Sequence, residues 1–330
     1  MARKSSQSIR YNEFGKPNEV LFLEEQPVPE PSSIEVVIKL LASPINPSDI
    51  GSILGKYGTL KELPATAGLE GIGEIVELGS AVTSLSVGQW VQMPESSGVW
   101  KSHMIAPAQE LRALPSGLDA HSASMASVNP PTAIRLLEDY GDLQPGDWVI
   151  QNGANSNLGI AVIQYAKKLG LKSINVVRRE ELKQPLKDLG ADVVVTEDDD
   201  YHKEIESLIG GPKPKLALNS IGGESAMKLL NSLCDGGTHV TFGAMTFDPI
   251  RFPTRQLIFN DIRICGFWLT HWRKNNASEE DQALSDQVYS LIGDGTFKFP
   301  VAATYPLDEF QKALEHVREP RLGKVLLTGE

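Results

Sequence analysis

The chain has 330 residues, of which 41% are hydrophobic and 22% are charged, a composition typical of a globular protein of about two domains. This composition excludes disorder, collagen and coiled coil as the main organisation. With 31 basic and 42 acidic residues the formal net charge is −11, so we expect no nucleic-acid partner and no anionic-membrane partner. The two cysteines, Cys234 and Cys265, are too few for a disulfide framework or a thiolate zinc cluster.

The N-terminal residues are basic and contain serine, but they lack the apolar core of a secretory signal. No stretch approaches the roughly 20 apolar residues that a membrane-spanning helix needs. Together with the few cysteines, this favours a cytoplasmic protein. A mitochondrial matrix protein is the alternative if the chain is a processed eukaryotic form.

The first 125 residues predict a β-rich unit. Strand-like runs at 34–40, 71–78 and 89–93 are separated by proline-rich turns. Gly71 and Gly73 lie inside the second run, and we interpret them as part of a bent strand rather than as a nucleotide-binding loop.

Near residue 128 the pattern changes to alternating strands and helices. The strands are predicted at 148–151, 173–177, 193–196, 215–219, 238–242 and 262–267. The helices are predicted at 132–140, 158–169, 180–189, 201–209 and 224–233. Apolar strands between amphipathic helices predict an α/β unit whose parallel sheet is covered on both faces and binds ligands at the carboxyl ends of its strands. A final strand is predicted at 324–328.

A run of small and polar residues, 151–159, follows the first strand of this series and opens the next helix. Backbone amides at such a turn, together with the helix N-terminus, favour a phosphate group. The run is not a G-x-G-x-x-G motif, so asparagine and serine side chains would supply hydrogen bonds that glycine amides supply elsewhere. A tight turn with an N-cap is the alternative interpretation.

Arg178 and Arg179 follow the second strand of the series. An acid at this position suits the ribose 2′-hydroxyl of NAD, whereas a guanidinium suits the 2′-phosphate of NADP. The pair therefore predicts NADPH as the cofactor rather than NADH. Exposed arginines that merely start a helix are the alternative.

Several short motifs are shared with one known family, and they extend over nearly the whole chain. They are 45–50 (INPSDI), 55–58 (GKYG), 62–64 (ELP), 128–130 (VNP), 143–147 (LQPGD), 149–152 (VIQN), 155–156 (NS), 174–178 (INVVR), 218–219 (LN) and 266–269 (GFWL). On these motifs the chain resembles the medium-chain dehydrogenase/reductase superfamily, and within it the 2-enoyl thioester reductases of the mitochondrial fatty-acid-synthesis type. The KYG, VNP and GFWL pieces are the narrowest and carry the most weight.

The resemblance implies a Rossmann doubly wound parallel-sheet domain at 127–267 and a β-rich GroES-like catalytic domain formed by 1–126 and 268–330. It also implies NADPH-dependent reduction of a trans-2-enoyl thioester, as enoyl-CoA or enoyl-acyl-carrier-protein, in fatty acid synthesis, and a homodimer. Hydride addition to Cβ leaves enolate character on the thioester oxygen, which needs a hydrogen-bond donor, and Cα needs a proton. Tyr57 matches the family's catalytic tyrosine, whose phenol would serve in either role.

The resemblance further implies a set of cofactor-binding residues. Asn129 matches a cofactor-side asparagine, and Lys324 matches a late lysine near the nucleotide. The remaining matches are Asn155, Ser156, Asn157 and Leu158 in the pyrophosphate turn, Arg178 and Arg179 at the 2′-phosphate, Phe242, Gly243, Ala244 and Met245 under the nicotinamide, and Phe267, Trp268 and Leu269 where both domains meet the cofactor. Asn157 and Ala244 stand where relatives have glycine, which leaves the geometry of both loops open. Glu180 replaces a polar or basic residue of some relatives and slightly weakens the phosphate argument.

Zinc-containing relatives need a soft ligand near residue 46 and a histidine near residue 69, where this chain has Asn46 and Leu69. We therefore expect no metal and no metal-polarised alcohol oxidation. A zinc-free NADPH quinone or enone oxidoreductase of the same fold is the alternative function, although Tyr57 and the segment around Trp268 favour the thioester reductase. A nucleotide-binding regulator or RNA-binding module on the same fold is a third possibility, against which the net charge argues.

Overall fold

The computed structural model describes residues 5–28, 30–94, 98–198 and 201–329. The strands in this part of the chain are β1 (Ser5–Tyr11), β2 (Phe22–Pro27), β3 (Glu35–Pro44), β4 (Ala65–Thr66), β5 (Ile72–Leu78), β6 (Trp90–Gln92), β7 (His103–Pro107), β8 (Arg112–Ala113), β9 (Trp148–Gln151), β10 (Lys172–Val177), β11 (Val193–Thr196), β12 (Leu216–Asn219), β13 (Thr238–Thr241), β14 (Arg263–Gly266), β15 (Val301–Pro306) and β16 (Lys324–Thr328).

The helices are α1 (Pro17–Val20), α2 (Pro47–Ile53), α3 (Ala120–Ser124), α4 (Asn129–Glu138), α5 (Asn157–Lys168), α6 (Lys183–Asp188), α7 (Tyr201–Ile209), α8 (Gly223–Asn231), α9 (Thr254–Phe259), α10 (Leu269–Asn275), α11 (Ser278–Gly293) and α12 (Phe310–His316). No helix in the described ranges is both long and apolar enough to cross a bilayer.

The elements form two compact units. The first comprises Met1–Ser127 and Lys298–Glu330, and the second comprises Val128–Phe297. The second boundary differs from the predicted one at residue 267, because residues 268–297 pack within the second unit. There α11 contacts α4, and the Gln287 amide donates a hydrogen bond of 2.8 Å to the Tyr165 hydroxyl. The polar character of this segment gave no sign of that packing.

The first unit is β-rich, as predicted. One sheet has the order β2-β1-β4, and a larger one has the order β15-β16-β3-β5-β6-β8, with β7 also paired to β3. Strand β3 pairs antiparallel with β5, β7 and β16. The side chains of Val36, Ile38 and Leu40 on β3 are almost wholly buried, so the centre of this sheet forms the core of the unit.

The second unit contains the predicted parallel sheet, in the order β11-β10-β9-β12-β13-β14. By order of appearance this is 3-2-1-4-5-6, the doubly wound arrangement, and its strand order reverses between β9 and β12. The predicted strands lie within two residues of the observed bounds. The predicted helix at 180–189 is shorter, since its first residues form a 3₁₀ turn at Glu180–Leu182 before α6 begins.

Candidate functional site

Four of the predicted cofactor-binding segments lie at the carboxyl ends of the strands of the parallel sheet. Residues 155–158 follow β9, 178–179 follow β10, 242–245 follow β13, and 267–269 follow β14. Because the strands are parallel, their carboxyl ends meet at the same edge. Asn129 is the first residue of α4, while Tyr57 and Lys324 belong to the first unit.

The turn after β9 has the features of an anion-binding loop. Ser156 is the N-cap of α5, and its hydroxyl accepts a hydrogen bond of 3.1 Å from the Gly159 amide. A Cβ on Gly159 would lie 2.5 Å from the Ala154 carbonyl oxygen, so the backbone approach here requires glycine. The buried Nδ2 of Asn157 has no hydrogen-bond partner in the described structure, as expected of a donor that awaits a ligand. Asn155 is half-buried and Leu158 is buried.

Two buried asparagines join the strand ends beneath this turn, and both lie in shared motifs but were not among the predicted cofactor-binding residues. Asn152 donates to Asn219 Oδ1 at 2.8 Å and accepts from the Ser220 amide at 2.8 Å. Asn219 in turn donates to Thr241 Oγ1 at 3.2 Å. The network ties together the carboxyl ends of β9, β12 and β13 and so fixes the loops that follow them. An asparagine that ends a buried apolar strand was the signal available in the sequence.

The two predicted phosphate-binding arginines differ in their surroundings. Arg178 is exposed, whereas Arg179 is half-buried and donates to Glu181 Oε1 at 3.0 Å. An exposed ion pair of this kind contributes at most about 1 kcal/mol. Loss of the ion pair with Glu181 alone would therefore cost little free energy.

The loops after β13 and β14 are shaped by close backbone packing. A Cβ on Gly243 would lie 2.9 Å from the Ser220 carbonyl oxygen, so this position also requires glycine. Phe242 is half-buried, whereas Ala244 and Met245 are exposed, so alanine fits where glycine was expected.

The segment after β14 is anchored by its first aromatic residue. Phe267 is buried and meets the Tyr140 ring edge-on, with the ring centroids 6.3 Å apart. Trp268 is half-buried and Leu269 is buried, so both continue the anchored segment into α10.

Tyr57 is held against the short helix α2 of the first unit. Gly55, with a φ of +70°, ends the turn after α2, and the Lys56 amide donates to the Gly51 carbonyl at 2.9 Å. A Cβ on Gly51 would lie 3.3 Å from the Cβ of Tyr57, so the tyrosine rests directly on the glycine face of α2. The Tyr57 side chain is half-buried.

Lys324 lies inside the first unit among acidic and amide groups. Its ammonium donates to the Ile45 carbonyl at 3.1 Å and to Asn46 Oδ1. Asn46 Nδ2 donates to Glu70 Oε1 at 2.6 Å. Burial lowers the pKa of Lys324 and raises the pKa of Glu70, while the attraction between the two opposite charges limits both changes. Burial also raises the pKa of Asp49, to about 6.

Two family profiles match this chain. The alcohol dehydrogenase GroES-like domain matches residues 32–116, and the zinc-binding dehydrogenase profile matches residues 158–286. The mitochondrial enoyl-[acyl-carrier-protein] reductase of Xenopus tropicalis is 41% identical over 97% of this chain and 94% of its own length. The protein of the same name from Homo sapiens is 40% identical over 97% of this chain and 88% of its own length.

Several solved structures of related enzymes superpose on nearly the whole chain. The mitochondrial 2-enoyl thioester reductase heterodimer Etr1p/Etr2p of Candida tropicalis superposes with a TM-score of 0.89 at 31% identity, over 98% of this chain and 100% of that one. The complex of Etr1p with NADP and crotonyl-CoA gives 0.90 at 30% identity, over 98% and 100%. The Escherichia coli quinone oxidoreductase bound to NADPH gives 0.85 at 25% identity, over 98% and 99%.

The residues at the position where zinc-containing relatives bind their metal do not fit a zinc ion. Asn46 uses its side chain on Glu70 and on the Lys324 ammonium, which already supplies a positive charge there, and Leu69 has no donor atom. Among the described residues, no group of three or more histidine, cysteine, aspartate or glutamate side chains is placed to hold a metal. The side chains present at this position therefore do not form a zinc site.

Proposed function

The chain belongs to the mitochondrial-type enoyl-[acyl-carrier-protein] reductase family, and from this we infer that it reduces trans-2-enoyl thioesters to acyl thioesters with NADPH. The observation that carries this conclusion is the extent of the match, 41% identity over 97% of the chain. The quinone oxidoreductase shares the fold at only 25% identity.

The carboxyl edge of the parallel sheet fits a dinucleotide. The buried, unpartnered amide of Asn157 and the glycine-only approach at Gly159 are suited to a pyrophosphate at the N-terminus of α5. We propose that Arg178 and Arg179 hold the 2′-phosphate, and that Asn129, residues 242–245, residues 267–269 and Lys324 contact the rest of the cofactor. Bound NADPH supplies a hydride to Cβ of the substrate.

We propose that Tyr57 is the catalytic residue. Its phenol would donate a hydrogen bond to the thioester oxygen as negative charge develops there, or deliver the proton that Cα needs. The packing of Tyr57 on α2 supports this role, because a donor that is already oriented loses little entropy in the reaction.

The reaction class is tested by following NADPH oxidation with crotonyl-CoA, a longer trans-2-enoyl-CoA and a benzoquinone in parallel. We expect fast oxidation with both thioesters and little with the quinone. Fast oxidation with the quinone alone would contradict the thioester reductase and favour the quinone oxidoreductase.

Tyr57→Phe tests the catalytic assignment. Loss of the phenol hydroxyl should lower kcat on crotonyl-CoA by about 100-fold, a typical value for one donor to a developing oxyanion, with NADPH affinity within about twofold of wild type. Tyr305→Phe is the matched control, because it removes a hydroxyl that is hydrogen-bonded to His316 at 3.0 Å. Its kcat should equal that of the wild type. Full activity of Tyr57→Phe would remove this residue from the mechanism.

The double substitution Arg178→Ala with Arg179→Ala tests the 2′-phosphate site. It should raise the Kd for NADPH by at least about tenfold, since two charge-assisted contacts are lost, while the Kd for NADH changes by less than about twofold. Isothermal titration with both nucleotides measures this difference, and Lys187→Ala on α6 is the surface-charge control. Equal weakening of NADPH and NADH would show that the arginines do not read the 2′-phosphate.

We propose that two copies of the chain associate through the β14 edge of the parallel sheet. Strand β14 is the last in the sheet order, and Ile264 on it is exposed. On the neighbouring helix α9, the side chains of Ile258 and Phe259 are 65% and 74% exposed. An exposed strand edge beside an apolar surface is typical of an interface. The Etr1p/Etr2p structure from Candida tropicalis is a heterodimer, so a second, related chain is the alternative partner.

Ile258→Glu with Phe259→Glu tests this interface. Two buried charges should dissociate the assembly, so sedimentation at micromolar concentration should shift from a dimer to a monomer. Val87→Glu introduces a charge at another exposed apolar position, 61% exposed in the first unit, and should leave the dimer intact. A dimer that survives the double substitution would place the interface elsewhere.

We also propose a compartment from the names of the relatives. They are named as mitochondrial proteins, which supports the mitochondrial matrix over the cytoplasmic expectation. Fractionation of cells that express the tagged chain distinguishes the two locations.

A further inference from the structure

Glu70 is a fully buried carboxylate whose two oxygens are both engaged. Oε1 accepts a hydrogen bond of 2.6 Å from Asn46 Nδ2. Oε2 accepts from the Ser127 amide at 3.2 Å and from the Ser127 hydroxyl at 3.1 Å. Ser127 thus binds one oxygen of the carboxylate and Asn46 binds the other. Because the glutamate is fixed by Ser127, it fixes the position of the Asn46 side chain.

Asn46 is the residue from which helix α2 starts. Asn46 and Asp49 form a capping box at the start of α2, in which the Asn46 backbone amide donates to Asp49 Oδ2 at 2.6 Å. The Asn46 side chain also donates to Glu70 Oε1 and accepts from the Lys324 ammonium. It therefore ties the start of α2 to a buried charged group.

Helix α2 has only seven residues, and a helix of that length is not stable by itself. Its position depends on tertiary anchors, and at its start these include the hydrogen bonds of the Asn46 side chain with Glu70 and Lys324. Tyr57 packs on Gly51 in the middle of the same helix. A displacement of the start of α2 by a fraction of an ångström is therefore passed to the phenol, and catalysis is sensitive to displacements of that size.

We propose that Glu70 is a positioning residue for the reduction, which sets the place of the Tyr57 hydroxyl through Asn46 and helix α2. The proposal rests on the proposed function, because it gives Glu70 a task in the reaction that Tyr57 performs. This role differs from that of a carboxylate that only balances the charge of Lys324. Loss of such a carboxylate would lower stability without a specific effect on Tyr57.

Glu70→Gln is the first variant, because glutamine keeps the shape of the side chain but cannot accept hydrogen bonds on both sides at once. We expect kcat on crotonyl-CoA to fall about tenfold, with the KM for the thioester changed by less than about threefold. Ser43→Ala is the matched control. It removes a buried hydrogen bond of 2.6 Å to the Glu70 backbone carbonyl and leaves the carboxylate contacts in place, so it should lower the melting temperature with kcat within about twofold of wild type.

The decisive measurement repeats Glu70→Gln in the Tyr57→Phe background. If Glu70 acts by placing the phenol hydroxyl, its substitution should change kcat by less than about twofold once that hydroxyl is absent. A further tenfold loss in this background would overturn the proposal, because Glu70 would then act independently of Tyr57. Equal losses of kcat in Ser43→Ala and Glu70→Gln would overturn it as well, as a general effect of destabilisation.

Asn46→Ser decides the question if Glu70→Gln does not fold. Serine is about as good an N-cap as asparagine and leaves the hydrogen bond from the residue 46 amide to Asp49 in place, but it removes the side-chain amide that links to Glu70 and Lys324, so kcat should fall as expected for Glu70→Gln. Retention of wild-type kcat would overturn the proposal. A wild-type protein that does not reduce crotonyl-CoA would instead refute the proposed function itself, together with the role of Glu70 that depends on it.

Discussion

The first unit depends on the interactions of the buried Lys324 ammonium with the polar and acidic groups around it. The ammonium joins the last strand of the chain to Asn46 near its beginning, and it is surrounded by the carboxyl groups of Glu70 and Asp49. Removal of one partner from a buried group of charges typically costs about 3–5 kcal/mol, because the remaining charges are left without compensation. The same group also lies at the start of α2, so the charge balance of the interior and the placement of Tyr57 share their residues.

The second unit depends on a different constraint, the alignment of the carboxyl ends of six parallel strands. Because the strand ends coincide, segments separated by more than 100 residues come together without any contact that is specific to them. The amide network of Asn152 and Asn219 adds precision, since it links three strand ends through hydrogen bonds that are protected from water. Binding residues on loops of this kind are positioned by a rigid scaffold below them.

The parallel sheet could be predicted from the sequence because its strands are short apolar runs between amphipathic helices. β9, β11 and β16 have the predicted bounds. Strand β1 was not predicted, since its sequence SSQSIRY has neither apolar alternation nor enrichment in branched residues. Its strand form comes from pairing with β2 and β4, which local propensity cannot show.

The candidate site could be predicted only where a local motif marks it. The turn at 155–158, the two arginines and Tyr57 lie in such motifs. Residues 242–245 and 267–269 follow strands of the parallel sheet, whereas Asn129 starts α4 and Lys324 starts β16. The Glu70 network could not be predicted, because Asn46, Glu70, Ser127 and Lys324 are distant in sequence and meet only in the folded unit. A single buried glutamate next to a leucine gives no periodic signal.

The return of strand β16 to strand β3 determines the order in which the two units can be completed during synthesis. In the larger sheet of the first unit, β16 pairs with the end of β3 and β15 pairs with β16, so Ser43 and Pro44 of β3 lack their strand partner until residues 324–328 have been made. The second unit has all of its residues once Phe297 has been added. The inserted unit can therefore finish folding first, while Glu70 and Asp49 still lack their cation, and the newborn chain must keep its β-rich half from pairing with other chains until Lys324 arrives.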